Sequence, residues 1–380
     1  MEYYDLDDFL KISAVLNYQL SAKQINWSNI AAIILEGKTL TPSDEAMLLH
    51  VFDYVGKVYG TAKRDLGPLS VLHPLRATAL LSHASREIDL TDVMTCLLHD
   101  YFEDFKPEKF RDPTWMNQDE QLQSLLKEIP ENRRNCLVEH LQWLTKKHTD
   151  TYNHYIGQLL DQACNAPEVV RVKLADRLDN TYDMRIDLQD PLQGKDFFEI
   201  IFQTLFTNTY KGYKPERIHQ TTYILNGAER LYQLFKNIVL MSIIRQRVAA
   251  AAEPISQTLF KALATVSMKE AQRITLHICG YHETSVASLR EILNETFAYA
   301  RSGGLDKVTL PHKGHPLDGV LMSVFDQPKR MERKKQLAAL YKNKPLMIET
   351  AVSFVIIFLN FLNDEDYYVH GISAEGIRPA

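Results

Sequence analysis

Apolar positions recur along this chain at helical spacing, and the strict alternation expected of strands is rare. Thr41-Pro42-Ser43-Asp44 reads as a helix start, with a capping hydroxyl, proline in the first turn and an early acid. The run Glu45 to Tyr59 then repeats apolar residues with the helical period. Gly60 to Leu72, which holds Gly60, Gly67 and Pro68, predicts a loop. A helix is expected after His73-Pro74, through Leu75, Ala79, Leu80 and Leu81, and the next is expected to be capped by Thr91. Further helices are expected at Arg133 to Lys146, Tyr152 to Cys164, Pro167 to Arg185 and Lys214 to Phe235, with more through Thr265. Pro191 to Gly194 breaks the pattern. Arg273 to Ile278 reads as a short strand or as more helix, and Gly303 to Gly319 as a loop. The expected class is mainly all-α, a helical bundle followed by an additional, mostly helical C-terminal region. The expected division is an N-terminal helical appendage at 1–40, a principal domain at 41–215 and a C-terminal region of unassigned role at 216–380.

Composition narrows the class. At 380 residues the chain can bury a sizeable core. Hydrophobic residues make up 45% and charged residues 24%, as in ordinary globular proteins. The formal net charge of -5 gives no basic excess, so a nucleic-acid partner is not expected. Cys96, Cys136, Cys164 and Cys279 are scattered without a CxxC pair, which indicates neither a disulfide framework nor a thiolate zinc site and favours a cytoplasmic setting. The acidic N-terminus lacks the features of a signal peptide. The most apolar segment, Ala351 to Leu362, falls short of the ~20 residues of a membrane span and reads as a buried helix, or else as an interfacial or partner-binding one.

The candidate chemistry gathers around His99-Asp100, near the end of the apolar run Leu90 to Leu98. His73 lies upstream and Asp176 downstream on separate predicted helices. His73, His99, Asp100 and Asp176 together form an imidazole and carboxylate set suited to Mn2+, Fe2+ or Zn2+. Glu103 and Asp104 follow His99 and Asp100 by four residues, one helical turn along. Carboxylates there can position a metal-activated water or take its proton. In Lys173 to Asn180, the residues Lys173, Asp176 and Asn180 share one helical stripe, while Val170, Leu174 and Leu178 form an apolar face. His148, His154, His277, His312 and His315 read as surface or packing residues, and Cys96 as a core thiol.

The order of these segments, over about residues 42 to 190, resembles the HD hydrolase domain of RelA/SpoT-type enzymes and their small stand-alone homologues. The matching residues are His73-Pro74, with Arg64 nine positions before it, then Leu98-His99-Asp100, Glu103-Asp104, and Lys173 to Arg177 through Asn180. The resemblance implies an HD-domain helical bundle. It also implies one divalent metal, usually manganese, held by His73, His99, Asp100 and Asp176. Glu103 and Asp104 would serve the attacking water, and Arg64, Lys173 and Asn180 the substrate.

The implied activity is hydrolysis of (p)ppGpp to GDP or GTP plus pyrophosphate. The loop before His73 reads Gly-Pro-Leu-Ser-Val-Leu where the family carries Pro-Tyr, Asp65 follows Arg64 where a basic residue is usual, and Phe105 replaces a common threonine. Because these departures surround substrate recognition, other nucleotides stay open: the 2'-phosphate of NADPH, an adenosine alarmone or a nucleoside phosphate. A non-catalytic nucleotide sensor is the competing class. The expected partners are a small-molecule nucleotide and, through the C-terminal region, a second copy or a regulatory protein. A membrane span is not expected.

Overall fold

A computed structural model describes residues 6–60, 62–64, 69–87, 89–105, 114–147, 149–163, 166–184, 189–215, 226–247, 253–282, 285–311 and 314–377. The helices run α1 (Leu6–Leu20), α2 (Trp27–Leu35), α3 (Pro42–Tyr59), α4 (Leu72–Ala84), α5 (Leu90–Leu98), α6 (Tyr101–Asp104), α7 (Thr114–Glu128) and α8 (Glu131–Leu144). They continue as α9 (Tyr152–Gln162), α10 (Pro167–Tyr182), α11 (Phe197–Thr207), α12 (Gly227–Arg245), α13 (Pro254–Tyr281), α14 (Val286–Arg301), α15 (Arg330–Lys342) and α16 (Lys344–Asn363). Among the described residues the only sheet is an antiparallel pair, β1 (Ile372–Ser373) and β2 (Gly376–Ile377), with Ile372 opposite Ile377. The all-α class expected from periodicity is therefore observed.

The chain packs as two compact units. The first holds Met1–Thr149, Gln158–Tyr182 and Ala249–Ala262; the second holds Asp150–Gly157, Asp183–Val248 and Leu263–Ala380. This grouping interleaves along the chain, unlike a linear division at residues 40 and 215.

In the first unit, local chemistry sets the helix ends. Thr41 caps α3 as expected, its Oγ1 accepting the Asp44 N–H at 3.1 Å with Pro42 in the first turn. The cap of α5 is Asp89 rather than Thr91: the Asp89 carboxylate accepts the Thr91 N–H at 2.6 Å, and Thr91 is inside the helix. A carboxylate is the better acceptor beside the positive end of the helix dipole. The helix expected after His73-Pro74 begins one residue earlier, so His73 sits in the first turn of α4.

Leu16, Ile30, Ile34, Leu48, Val51, Phe52, Leu75, Val93, Leu97, Leu137 and Leu141 join one apolar core, to which α1 and α2, before residue 40, contribute as well as α3 to α8. Trp27 lies parallel to Phe52 at 6.1 Å, and a Cβ at Gly56 would overlap the Trp27 ring, so only glycine lets α2 approach α3 this closely.

In the second unit, Asn226 and Glu229 close α12 with a capping box. Residues 216–225 of the helix expected from Lys214 lie outside the described set, and its described part begins at Gly227. The segment Arg273 to Ile278 is helix within α13, not strand. Phe235, Phe325, Phe354, Phe358 and Phe361 form a chain of ring contacts, centroids 5.6 to 6.5 Å apart, of which only Phe235 and Phe325 are stacked. The apolar segment beginning at Ala351 belongs to α16, whose 20 residues are long and apolar enough to cross a membrane; 67% of an apolar 18-residue stretch of it is buried within the protein, as in a core helix.

Phe52 is fully buried. Phe52→Ala should lower the unfolding free energy by about 3–5 kcal/mol through lost burial and a residual cavity. Urea denaturation of the purified protein measures this, and a loss below about 1 kcal/mol would mean that the site collapses around the smaller side chain.

Candidate metal centre

His73 is delivered by the first turn of α4, and Asp176 by the third turn of α10. His99 and Asp100 arrive differently from the sequence expectation of two neighbours on a continuous helix. α5 ends at Leu98 with His99 as its cap, and Asp100 takes φ -92°, ψ 0° before α6 restarts the chain. That bridge-region conformation re-aims the carboxylate, so adjacent residues converge instead of diverging by roughly 100°.

The convergence is tight. His73 Nε2 lies 3.2 Å from His99 Nε2, 3.3 Å from an Asp100 oxygen and 3.3 Å from Asp176 Oδ1. His99 Nε2 lies 3.3 Å from Asp100 Oδ1 and 3.6 Å from Asp176 Oδ1. Ligands held about 2.1 Å from one cation are separated by roughly 3.0–3.4 Å, depending on geometry.

The remaining ring nitrogens explain why a cation fits. His73 Nδ1 donates to Asp179 Oδ2 at 2.6 Å, and His99 Nδ1 donates to the Cys96 carbonyl at 2.7 Å. Each bond selects the tautomer that leaves Nε2 with a lone pair. Two Nε2 lone pairs facing each other beside two carboxylates repel unless a positive charge lies among them. The residues present therefore fit a divalent metal, and His73, His99 and Asp176 bring one donor atom each within 4.8 Å of the others.

In the metal-free protein, protons take up that charge. Burial and the Arg64 cation push the His73 imidazole down, but hydrogen bonds to Asp100, Asp176 and Asp179 outweigh them and hold it at about 9. Burial likewise pushes Asp176 up, and Lys173 with the two histidines overrides it, keeping the carboxyl well below its usual range.

The other residues singled out by sequence stand around this cluster. Lys173 is nearly buried and pairs with Asp176 Oδ2 at 2.7 Å. Asn180 donates to Asp176 Oδ1 at 2.5 Å and accepts from Arg64 Nη2 at 2.7 Å. Arg64 is about one quarter exposed, so it forms the rim. Glu103 is half-buried, and its Oε1 accepts the Lys146 N–H at 2.6 Å. Burial pushes its carboxyl up, aided by Asp100 and Asp176 and opposed by Lys173 and the Lys146 amide. Asp104 is exposed and accepts from the Tyr59 hydroxyl at 3.1 Å. Asp104 stays one turn beyond Asp100, its N–H donating to the Asp100 carbonyl at 2.8 Å, while the Glu103 N–H donates to the same carbonyl at 3.0 Å.

Three contributors escaped the sequence reading: Asp179, Arg76 and Tyr59. Asp179 carries the only signal, an acid three residues after Asp176 on the same face. Arg76 and Tyr59 are recruited from other helices and have none. Among the histidines read as packing residues, His277 lies against Tyr213 and Tyr281, His315 stacks on Tyr299, and His154 is exposed. His148 and His312 lie outside the described residues. Cys96 is a buried core thiol, as expected.

Residues 71–181 match the HD domain, a family of metal-dependent hydrolases. That segment contains His73, His99, Asp100, Glu103, Asp104, Lys173, Asp176 and Asn180, with Arg64 just outside it. The match supports an HD domain in that segment. Comparison with curated proteins finds no match.

Asp179→Asn should weaken Mn2+ binding by roughly 10–100-fold, because the His73 ring loses its charged anchor. Isothermal titration of the full chain reads this directly, and unchanged affinity would remove Asp179 from the site. Protons hold His73 below about 9, and Asp100 and Asp176 outweigh burial to push His99 well above its usual value too, so wild-type affinity should rise with pH through neutrality and past 9.

Proposed function

We propose that this HD-type site hydrolyses a guanosine alarmone, converting (p)ppGpp to GDP or GTP plus pyrophosphate. The observation that supports it best is the rim: Arg64 and Asn180 form a linked cation and amide one hydrogen bond from Asp176, the third-helix carboxylate of the cluster. Such a pair suits a phosphate together with the ribose that carries it. The resemblance to RelA/SpoT-type enzymes carries the choice of guanosine.

The metal in this reading is one divalent cation, manganese before Fe2+ or Zn2+, held by His73, His99, Asp100 and Asp176. It would supply Lewis-acid chemistry, neutralising phosphoryl charge and acidifying water. Arg64 binds the pyrophosphate oxygens, and Asn180 orients the sugar. Lys173 holds Asp176 ionised and in place, and it adds positive charge beside the phosphates. Glu103, whose carboxyl is pushed up by burial, takes a proton from the attacking water, and Asp104 helps to orient that water. The water oxygen bonds to the phosphorus attached to the 3'-oxygen, and the bond from phosphorus to that oxygen breaks. The 3'-oxygen leaves with the proton that Glu103 took from the water, and pyrophosphate is released.

The test is pyrophosphate release from ppGpp by the full chain in Mn2+, with Asp100→Ala as control and NADPH in parallel. Pyrophosphate that disappears in the variant is the expected result, and Glu103→Gln should then cut kcat by about 10²–10⁴-fold. Phosphate from NADPH alone would keep the site and replace the substrate. No turnover in a protein that binds Mn2+ and ppGpp would favour the sensor.

A further inference from the structure

A second group of metal-type donors stands in the first unit, outside the cluster already described. Cys136 and His140 lie at i and i+4 on α8, one turn apart on the same face, and Glu168 stands in the first turn of α10. Cys136 Sγ is 3.4 Å from His140 Nε2 and 3.9 Å from Nδ1, and His140 Nε2 is 3.4 Å from Glu168 Oε1. All three donor atoms lie within 4.8 Å of one another. In a tetrahedral zinc site, Zn–S of about 2.3 Å and Zn–N or Zn–O of about 2.0–2.1 Å place the ligands roughly 3.3–3.6 Å apart.

Hydrogen bonding through one imidazole nitrogen serves only one of its two neighbours at a time. Nε2 faces both a thiol and a carboxylate. With a proton it donates to Glu168 and offers nothing to the sulfur. Without one it accepts from the thiol and sets its lone pair against the carboxylate. Glu139, Asp89 and Asp92 add negative charge around Cys136. Arg171 is engaged by Asp92 and Glu253, at 3.0 Å each. A cation bound by all three donors removes the conflict.

We propose that Cys136, His140 and Glu168 form a second metal site, selective for a thiophilic divalent cation of the zinc class and distinct from the histidine and carboxylate site. A thiolate is a soft ligand that hard Mn2+ does not favour, so the two sites sort metals by donor type. His140 is buried and Cys136 partly exposed, which gives the ion an entry and leaves a water in the fourth position. Metal here clamps α8 to α10, the helix that also carries Asp176. The site is a brace for the first unit, and it stands whether or not the HD-type site cleaves an alarmone.

The sequence signal is a cysteine four residues before a histidine on a predicted helix. It is weak because its third member is distant in sequence.

Co2+ is the probe, added to the metal-free full chain, because a cobalt–thiolate bond has a charge-transfer absorption that oxygen and nitrogen ligands lack. The expected result is this band in the wild type and in His73→Ala, which impairs the other site, and its loss in Cys136→Ser. Glu168→Gln should weaken Zn2+ binding at this site by more than about 100-fold, since even the supporting partners of metal ligands are worth 10–100-fold. Circular dichroism verifies that each variant folds. Zinc should also raise the melting temperature of the wild type more than that of Cys136→Ser. No thiolate band, or a band that survives Cys136→Ser in the folded protein, would overturn the proposal.

Discussion

The Asp179 carboxylate is the group on which the first unit depends. It is fully buried, receives Nε and Nη2 of Arg76 at 2.7 and 3.1 Å, and receives His73 Nδ1 at 2.6 Å. A carboxylate in such a place is tolerable because Arg76 and His73 donate to it and Arg64 Nη1 lies 3.6 Å from Oδ2, and removing a partner from a buried pair of this kind costs about 3–5 kcal/mol. The same bonds orient the imidazole. Arg76 also donates to Ser13 at 3.1 Å and lies over the Phe9 ring at 4.9 Å, which joins α1 to the supports of the metal centre. The bonds that hold α4 against α10 are also the ones that aim His73.

Helix α10 concentrates this logic. Its apolar face, with Val170, Leu174 and Leu178, is buried in the core, while Lys173, Asp176 and Asn180 hydrogen-bond among themselves on the other side. Asp179, three residues after Asp176 on the polar side, reaches α4. A helix anchored on both faces suits a metal centre, whose ligands must be held to within about 0.5 Å. Of the proposed second donor group, Glu168 stands in the first turn of the same helix, while Cys136 and His140 come from α8.

Legibility in the sequence followed the range of the interactions. The all-α class was readable because helical periodicity repeats over many residues, and Thr41-Pro42 announced α3 because a cap is a local bond. The residues of the metal cluster were readable as types: imidazoles and carboxylates at helix-compatible spacing have few other uses in such order. The cap of α5 was misread because Asp89 and Thr91 both suit the role, and only the hydrogen bond decides between them. The break at Asp100 was not readable, since nothing in Leu-Leu-His-Asp-Tyr-Phe requires a bridge-region residue. Arg76, on the inner face of α4, looked like any arginine until the buried charge it serves was in view.

What the sequence determined by itself is the inventory and its local order: amphipathic helices, their caps, and a set of donors spaced so that each could project from a helix face. Those properties depend on neighbours within a few residues, and neighbours in sequence are fixed before the chain folds. What only tertiary structure decided is which donors meet. Asp100 joins His99 through a turn between helices, Asp179 is spent on Arg76 and His73 and not on a ligand, and Glu168 crosses to Cys136 and His140. Those meetings depend on how α4, α5, α8 and α10 pack. Packing is settled by the summed burial of many apolar side chains, none of which carries the chemistry that results.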